Sequence, residues 1–70
     1  SEILWNEIHR LENPRHQAIL VLDAHAQFDD RTAAEALGLK PEEIPKLRFN
    51  AKAQLMKQVY ELRNGSPHSD

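Results

Sequence analysis

The chain has 70 residues, of which 40% are hydrophobic, and its nine Lys and Arg against eleven Asp and Glu give a formal net charge of −2 at pH 7. This length allows one small domain, which buries only about 60% of the surface that the unfolded chain exposes. The absence of cysteine excludes disulfides and thiolate metal sites. The longest apolar run, residues 18–22, is too short to span a bilayer. We therefore expect a cytoplasmic protein that does not enter a membrane.

The first predicted helix covers residues 1–12. Its apolar face, at helical spacing, consists of Leu4, Ile8 and Leu11, with Trp5 beside them. Asn13 ends this helix, because the residue before a proline avoids the helical conformation. Trp5 is the largest apolar side chain, and we expect it to anchor this segment over the last helix rather than to serve as an interface residue.

The second predicted helix covers residues 14–27 and begins at Pro14. Its inner face contains Ala18, Ile19, Leu22 and Ala26, widened by Leu20 and Val21. A helix that is apolar over so much of its circumference is expected at the centre of the core. Phe28 is expected to close that core at the following turn.

A third helix, a tight turn and a fourth helix follow. Asp29 or Asp30 is expected to cap a helix over residues 31–37, with Ala33, Ala34 and Leu37 facing inward. Gly38 then stands where a left-handed cap favours glycine, and Leu39 is expected to be a buried plug. This outline is typical of a helix-turn-helix, in which the second helix protrudes from the surface.

The fourth predicted helix covers residues 41–63. Pro41 fits a first-turn position, where its missing N–H does no harm. Pro45 predicts either an irregular first turn or a regular helix that begins near residue 45. We expect the single helical domain to cover residues 1–64 and residues 65–70 to form a disordered tail. The predicted fold class is therefore a small all-α, four-helix domain with a helix-turn-helix and a long C-terminal helix.

The fourth helix carries two apolar stripes on opposite sides. The first, expected to pack on the core, contains Ile44, Leu47, Ala51, Leu55 and Leu62, with Val59 at its edge. The second contains Phe49, Ala53, Met56 and Tyr60. Internal cover by the first helix is the favoured interpretation of the second stripe. A second copy of the chain and a binding partner remain open as alternatives.

The histidines, serines and glycines of this chain do not form the patterns found in catalytic, metal-binding or phosphate-binding sites. None of the four histidines forms a pair at metal-binding spacing, and no cysteine is present to join them. Ser1 and Ser66 have no base to activate them, and the two glycines make no phosphate-binding loop. We therefore expect neither catalytic activity nor a cofactor nor a metal site.

Several stretches match one known pattern. Residues 14–20 read PRHQAIL, residues 32–39 read TAAEALGL, Ile44 and Leu47 occupy apolar positions of the next helix, and residues 51–55 read AKAQL. Together they resemble region four of bacterial sigma factors, the domain that reads the upstream hexamer of a promoter. The resemblance covers more than half of the chain.

The resemblance implies a DNA-binding transcription domain that works with RNA polymerase. It places a recognition helix at about residues 41–55 in the major groove of promoter DNA. The residues that it would bring to DNA are Arg31, Thr32, Lys40, Glu42, Glu43, Lys46 and Asn50. Arg31 and Thr32 would contact phosphates, and the others would lie on the outward face of the recognition helix.

A sigma-like fold that serves as a protein-docking module is the alternative function. Glu42, Glu43 and Pro45 stand where the sigma family usually has serine, threonine or basic residues, and carboxylates repel phosphates. A partner helix would instead lie along the second apolar stripe of the last helix. The residues expected to bind it are Phe49, Met56 and Tyr60. The partner would be an anti-sigma protein, an RNA polymerase subunit or a second copy of this chain as a homodimer.

Overall fold

The computed structural model describes residues 4–63, which form four α-helices. These are α1 (Trp5–His9), α2 (Pro14–His25), α3 (Asp30–Leu37) and α4 (Ile44–Arg63), with a 3-10 turn at Pro41–Glu43 before α4. The described residues contain no strand, so the predicted all-α, four-helix fold class is confirmed. The start predicted at residues 1–3 and the tail predicted at residues 65–70 lie outside the described residues.

Side-chain caps set the starts of α2 and α3. The Arg15 N–H donates to Asn13 Oδ1 at 2.8 Å, and the Thr32 N–H donates to Asp29 Oδ1 at 2.8 Å. Asp29, and not Asp30, is therefore the cap of α3. Each cap satisfies a backbone donor that has no partner within its helix.

Gly38 makes the turn between α3 and the 3-10 turn. Its backbone is left-handed, with φ 71° and ψ 34°. The Leu39 N–H donates to the Ala34 carbonyl at 2.9 Å, and the Gly38 N–H donates to the Glu35 carbonyl at 3.4 Å. This pair of hydrogen bonds defines a Schellman motif. The predicted left-handed glycine is confirmed, while Leu39 is half-buried against the core rather than fully enclosed.

The irregular turn predicted from Pro45 is confirmed. The chain forms a 3-10 turn at Pro41–Glu43, and the regular helix begins at Ile44, one residue before Pro45. The Glu43 N–H donates to the Lys40 carbonyl at 2.9 Å, and the Lys40 N–H donates to Glu43 Oε2 at 3.1 Å. Both prolines thus lie near a helix start, where a missing N–H leaves no broken hydrogen bond.

The core gathers small and branched side chains from all four α-helical segments around α2. Ile19 of α2 and Ile44 of α4 are its largest fully buried side chains. The buried apolar residues are Ile8, Leu11, Ile19, Leu20, Ala33, Ala34, Ile44 and Ala51. Phe28, Leu37, Leu47 and Leu55 are partly buried against them. The prediction that α2 is the central helix and that Phe28 packs at its end is confirmed.

The first helix is much shorter than the sequence predicts, because α1 ends at His9 and its next turn is irregular. Ile8 and the following Leu11 are buried, and Gln58 Nε2 donates to the Glu7 carbonyl at 2.7 Å, which joins α1 to α4. The Trp5 ring lies 5.8 Å from the His25 ring, centroid to centroid, and remains 37% exposed. Trp5 therefore packs at the end of α2.

Two residues that the sequence places in the core lie outside it. Ala26 is exposed because it follows the last residue of α2 with an extended backbone (φ −166°, ψ 161°). Leu62 is 53% exposed. It lies one turn beyond Gln58, the residue through which α4 bonds to α1, so the last turn of α4 projects past that junction.

Candidate nucleic-acid and partner interface

The start of α4 presents polar side chains to solvent. Lys46 and Asn50 lie four residues apart, one turn along α4, and both are exposed. The other residues that the resemblance brings to DNA are also exposed: Arg31, Thr32, Lys40, Glu42 and Glu43. Exposure at all seven positions means that a ligand can reach each of them without unfolding the domain.

Two of these residues already have partners within the chain. The Glu43 carboxylate accepts the Lys40 N–H, so it closes the 3-10 turn instead of standing free beside α4. Thr32 interacts with Asp29, and the hydrogen bonds from its N–H and its hydroxyl lower the pKa of that carboxyl below its ordinary value of 3.8. Glu43 and Thr32 therefore shape the turn and the start of α3.

Arg48 ties three parts of the chain together. Its Nε and Nη2 donate to the two carboxylate oxygens of Asp23 at 2.8 and 3.2 Å, and its Nη1 donates to Asp30 Oδ1 at 3.0 Å. Its Nη2 also approaches the Phe28 carbonyl at 3.5 Å. The hydrogen bonds to Asp23 are the main reason why the pKa of Arg48 is raised, and the one to Asp30 adds to it.

This cluster fixes how the helix-turn-helix is held. Arg48 belongs to α4, Asp23 to α2 and Asp30 to the first turn of α3, so one guanidinium connects all three helices. The bidentate geometry with Asp23 is the strong, directional form of this ion pair. Arg48 stays charged, but its guanidinium is paired with two carboxylates of the chain, so the cluster as a whole is not a cationic site.

The sequence analysis did not single out Arg48. Its acidic partners lie 25 and 18 residues away in the chain, so no local spacing joins them. The sequence offered one indication of this cluster. An arginine lies beside the inner stripe of α4, and aspartates lie at the start of α3 and near the end of α2.

A second surface runs along the opposite side of α4. We call Phe49, Ala53, Met56 and Tyr60 the outer seam. Phe49 is 72% exposed, Met56 71% and Tyr60 67%, and Ala53 is exposed as well. The expectation that the first helix folds back over this stripe is therefore wrong, because the five-residue α1 packs beside Gln58 instead.

Cations border the outer seam. Helical geometry places them within about 80° of the Phe49 direction, at about 100° per residue. They are Lys46, Lys52, Lys57 and Arg63, all exposed. Glu61 is the one carboxylate of α4, and it lies about 120° from Phe49 by the same geometry. The outer side of α4 is thus apolar along its centre and positive along its edges.

Two clefts flank the carboxyl-terminal half of α4. We call the first the end groove, a shallow apolar depression of about 280 Å³. Its lining residues are Leu4, Leu55, Met56, Val59, Tyr60 and Arg63. The second is a polar cleft of about 530 Å³ between the turn after α1 and α4, where Glu61 and Gln58 lie. Arg63 is the one charged residue that lines the end groove.

Residues 4–63 contain neither a metal-binding cluster nor a membrane-spanning helix. Those residues hold no group of three His, Cys, Asp or Glu side chains placed to bind a metal ion. They also include no helix with the length and apolar character needed to cross a bilayer. Comparison with protein-family models, curated proteins and solved structures found no match for this chain.

Proposed function

We propose that this chain is a helix-turn-helix DNA-binding domain of bacterial transcription, acting in the cytoplasm on promoter DNA together with RNA polymerase. The observation that carries the proposal is the left-handed turn at Gly38, after which α4 begins with Lys46 and Asn50 exposed one turn apart. The proposal places the amino-terminal half of α4 in the major groove, which is wide enough to admit a helix. The resemblance to sigma region four supports the same arrangement.

The exposed side chains have the chemistry that base recognition needs. The amide of Asn50 can donate to and accept from one adenine edge, and Lys46 can donate to the two acceptors of guanine. Glu42 can accept from the amino group of cytosine. Arg31 and Lys40 would then bind phosphates on either side of the groove and set the register of the domain on the duplex.

The charge of the domain predicts weak binding that depends on salt. Arg48 is paired with Asp23 and Asp30, so we count Arg31, Lys40 and Lys46 as the cations near the start of α4 that can meet phosphates. If these three cations neutralise phosphates, the logarithm of the binding constant should fall with the logarithm of salt concentration at a slope of about −3. Binding of this strength is consistent with a domain that needs RNA polymerase to hold it at a promoter.

A titration with promoter and scrambled duplexes at low salt tests the proposal. We expect the amide resonances of Lys46 and Asn50 to shift, and Lys46→Ala and Asn50→Ala to weaken binding. Arg15→Ala is the matched control, because Arg15 is an exposed cation at the start of α2 and should matter little. The proposal fails if neither duplex perturbs α4, or if Arg15→Ala and Lys46→Ala weaken binding equally.

A second candidate function, the docking of a protein partner on α4, is favoured by the exposure of Phe49, Met56 and Tyr60. An anti-sigma protein, an RNA polymerase subunit and a second copy of the chain are its possible partners. Changing Phe49 and Tyr60 together to alanine should leave the domain folded and abolish the complex. Loss of folding would show that these residues belong to the core, which would remove this candidate.

A further inference from the structure

We propose that the outer seam of α4 pairs, in the manner of a coiled coil, with an amphipathic helix of another protein whose flanking residues are acidic. This inference rests on the docking function proposed above and selects one kind of partner for it. It does not require DNA binding. Three features of α4 carry it: the spacing of the seam, the sign of the charges beside the seam, and the end groove.

The spacing of the outer seam fits a helix-helix contact. Its residues follow one another at intervals of four, three and four, which is the alternation of the a and d positions in a coiled coil. Phe49 and Met56 take d positions, and Ala53 and Tyr60 take a positions. The seam is exposed at all four positions, so a partner helix can lie along more than three turns of α4.

The charges beside the seam select an acidic partner. Lys52 occupies a g position and Lys57 an e position, and charges at e and g positions decide which helices pair. Lys46 and Arg63 stand at the next a and d positions, so both ends of the seam are also positive. Glu61, the carboxylate of α4, lies further from the seam and lines the polar cleft, at whose edge Lys57 also lies. Glutamates at the partner's e and g positions would complement this pattern.

The same charges argue against a second copy of the chain as the occupant. In a parallel pair, the g position of one helix faces the e position of the other, so Lys52 would meet Lys57. In an antiparallel pair a faces d, so a pair that overlaps the whole seam would place Lys46 of each copy opposite Arg63 of the other. Both orientations of a homodimer through this seam place like charges opposite one another, and like charges repel.

The end groove gives the partner a place to anchor. Its volume of about 280 Å³ lies just below the range of small-molecule pockets, which is about 300–1,000 Å³. Five apolar residues and Arg63 line it. It therefore suits a few apolar side chains of a docked helix, with an acidic residue beside them to meet Arg63.

Three synthetic helical peptides, each about three heptads long with leucine at every a and d position, test the inference. They differ only in carrying glutamate, glutamine or lysine at e and g. Binding of each labelled peptide to the 70-residue chain is measured by fluorescence anisotropy. At low salt we expect the glutamate peptide to bind about tenfold more tightly than the glutamine peptide, and the lysine peptide least of all. This difference should shrink as salt rises.

Charge reversal is the sharper test. The double variant Lys52→Glu with Lys57→Glu should prefer the lysine peptide, while the exposed control Arg15→Glu should keep the preference for glutamate. Equal binding of the glutamate and glutamine peptides would overturn the acidic partner and leave docking intact. Binding of none of the peptides would overturn the inference, as would self-association of the chain through Phe49 and Tyr60. Binding of duplex DNA by the same lysines without peptide binding would also overturn it.

Discussion

The inner and outer sides of α4 differ in the size and the exposure of their apolar residues. On the inner side, Ile44 and Ala51 are fully buried and Arg48 is held by Asp23 and Asp30. On the outer side, Phe49 and the other large side chains of the seam face solvent. Helix α4 thus buries small and branched apolar residues and exposes aromatic ones. A helix whose outer side is only a solvated surface carries polar and charged residues there instead.

This difference separates the residues that determine the stability of the domain from those available for binding. A large apolar side chain that makes few contacts within its own domain adds little to stability, because burial is what gives it stabilising free energy. Changes at Phe49 or Met56 should therefore act mainly on binding. Changes at Ile44, Ala51 or Arg48 should act first on the fold, and their effects on binding would follow from that.

Replacing one residue on each side tests this difference most directly. Ile44→Ala should lower the free energy of unfolding by about 2–5 kcal/mol, because it leaves a cavity in the core. Phe49→Ala removes a larger side chain, yet it should change the free energy of unfolding by less than about 0.5 kcal/mol. Urea denaturation followed by circular dichroism measures both. Equal losses in the two variants would mean that the outer seam is buried in solution.

The Arg48 cluster is the next largest expected effect. Arg48→Met keeps an unbranched apolar stem but leaves Asp23 and Asp30 without their cation. We expect a loss of about 1–3 kcal/mol, reduced from the value for fully buried pairs by the partial exposure of Asp30. A double-mutant cycle with Asp23→Asn measures the coupling. Strictly additive effects would show that the hydrogen-bonded pair does not hold α2 to α4.

Local patterns predicted most of the fold. The Pro14 start of α2, the Gly38 turn, the capping residue before α3 and the irregular entry at Pro45 each depend on backbone rules that act over a few residues. The inner residues Ile44 and Ala51 followed from helical periodicity. These features share one property, which is that a short stretch of chain contains all the information needed to predict them.

What the sequence missed depends on contacts between distant residues. The Arg48 cluster joins residues 18 and 25 positions apart, and periodicity along one helix cannot show such a pair. The cover expected over Phe49 required a long first helix, but α1 has only five residues, since Leu11 enters the core from the turn that follows. Leu62 matched the inner stripe by spacing, although α4 extends past the elements that would bury it.

The turn at Gly38 leads into α4 and helps to set which side of that helix faces the core. Substitution of Gly38 therefore tests how far this arrangement depends on the backbone conformation of the turn. A Cβ at residue 38 would meet nothing within 4 Å, so steric contact adds no penalty. The positive φ of 71° alone should make Gly38→Ala lose about 1–2 kcal/mol. Gly38→Asn is the matched control and should lose less, because asparagine tolerates the left-handed region. Equal losses would point to a cause other than φ.

The smallest expected effect concerns the caps, and the molecule supplies its own control. Asp29 caps α3 and Asn13 caps α2 through the same kind of hydrogen bond, but only Asp29 can be protonated. The pKa of Asp29 is lowered by Thr32, so its contribution to stability is fully present above its ordinary pKa of 3.8 and is lost as pH falls through the lowered value. Acidification should therefore shift the Thr32 amide resonance in this window and leave that of Arg15 in place.

Asp29→Asn should keep the cap and remove that titration, since asparagine is an equally good cap. The variant should lose less stability than the natural chain between pH 5 and strongly acidic conditions, measured as the urea midpoint at each pH. If both proteins lose stability equally, the acid sensitivity of the domain does not come from the cap of α3.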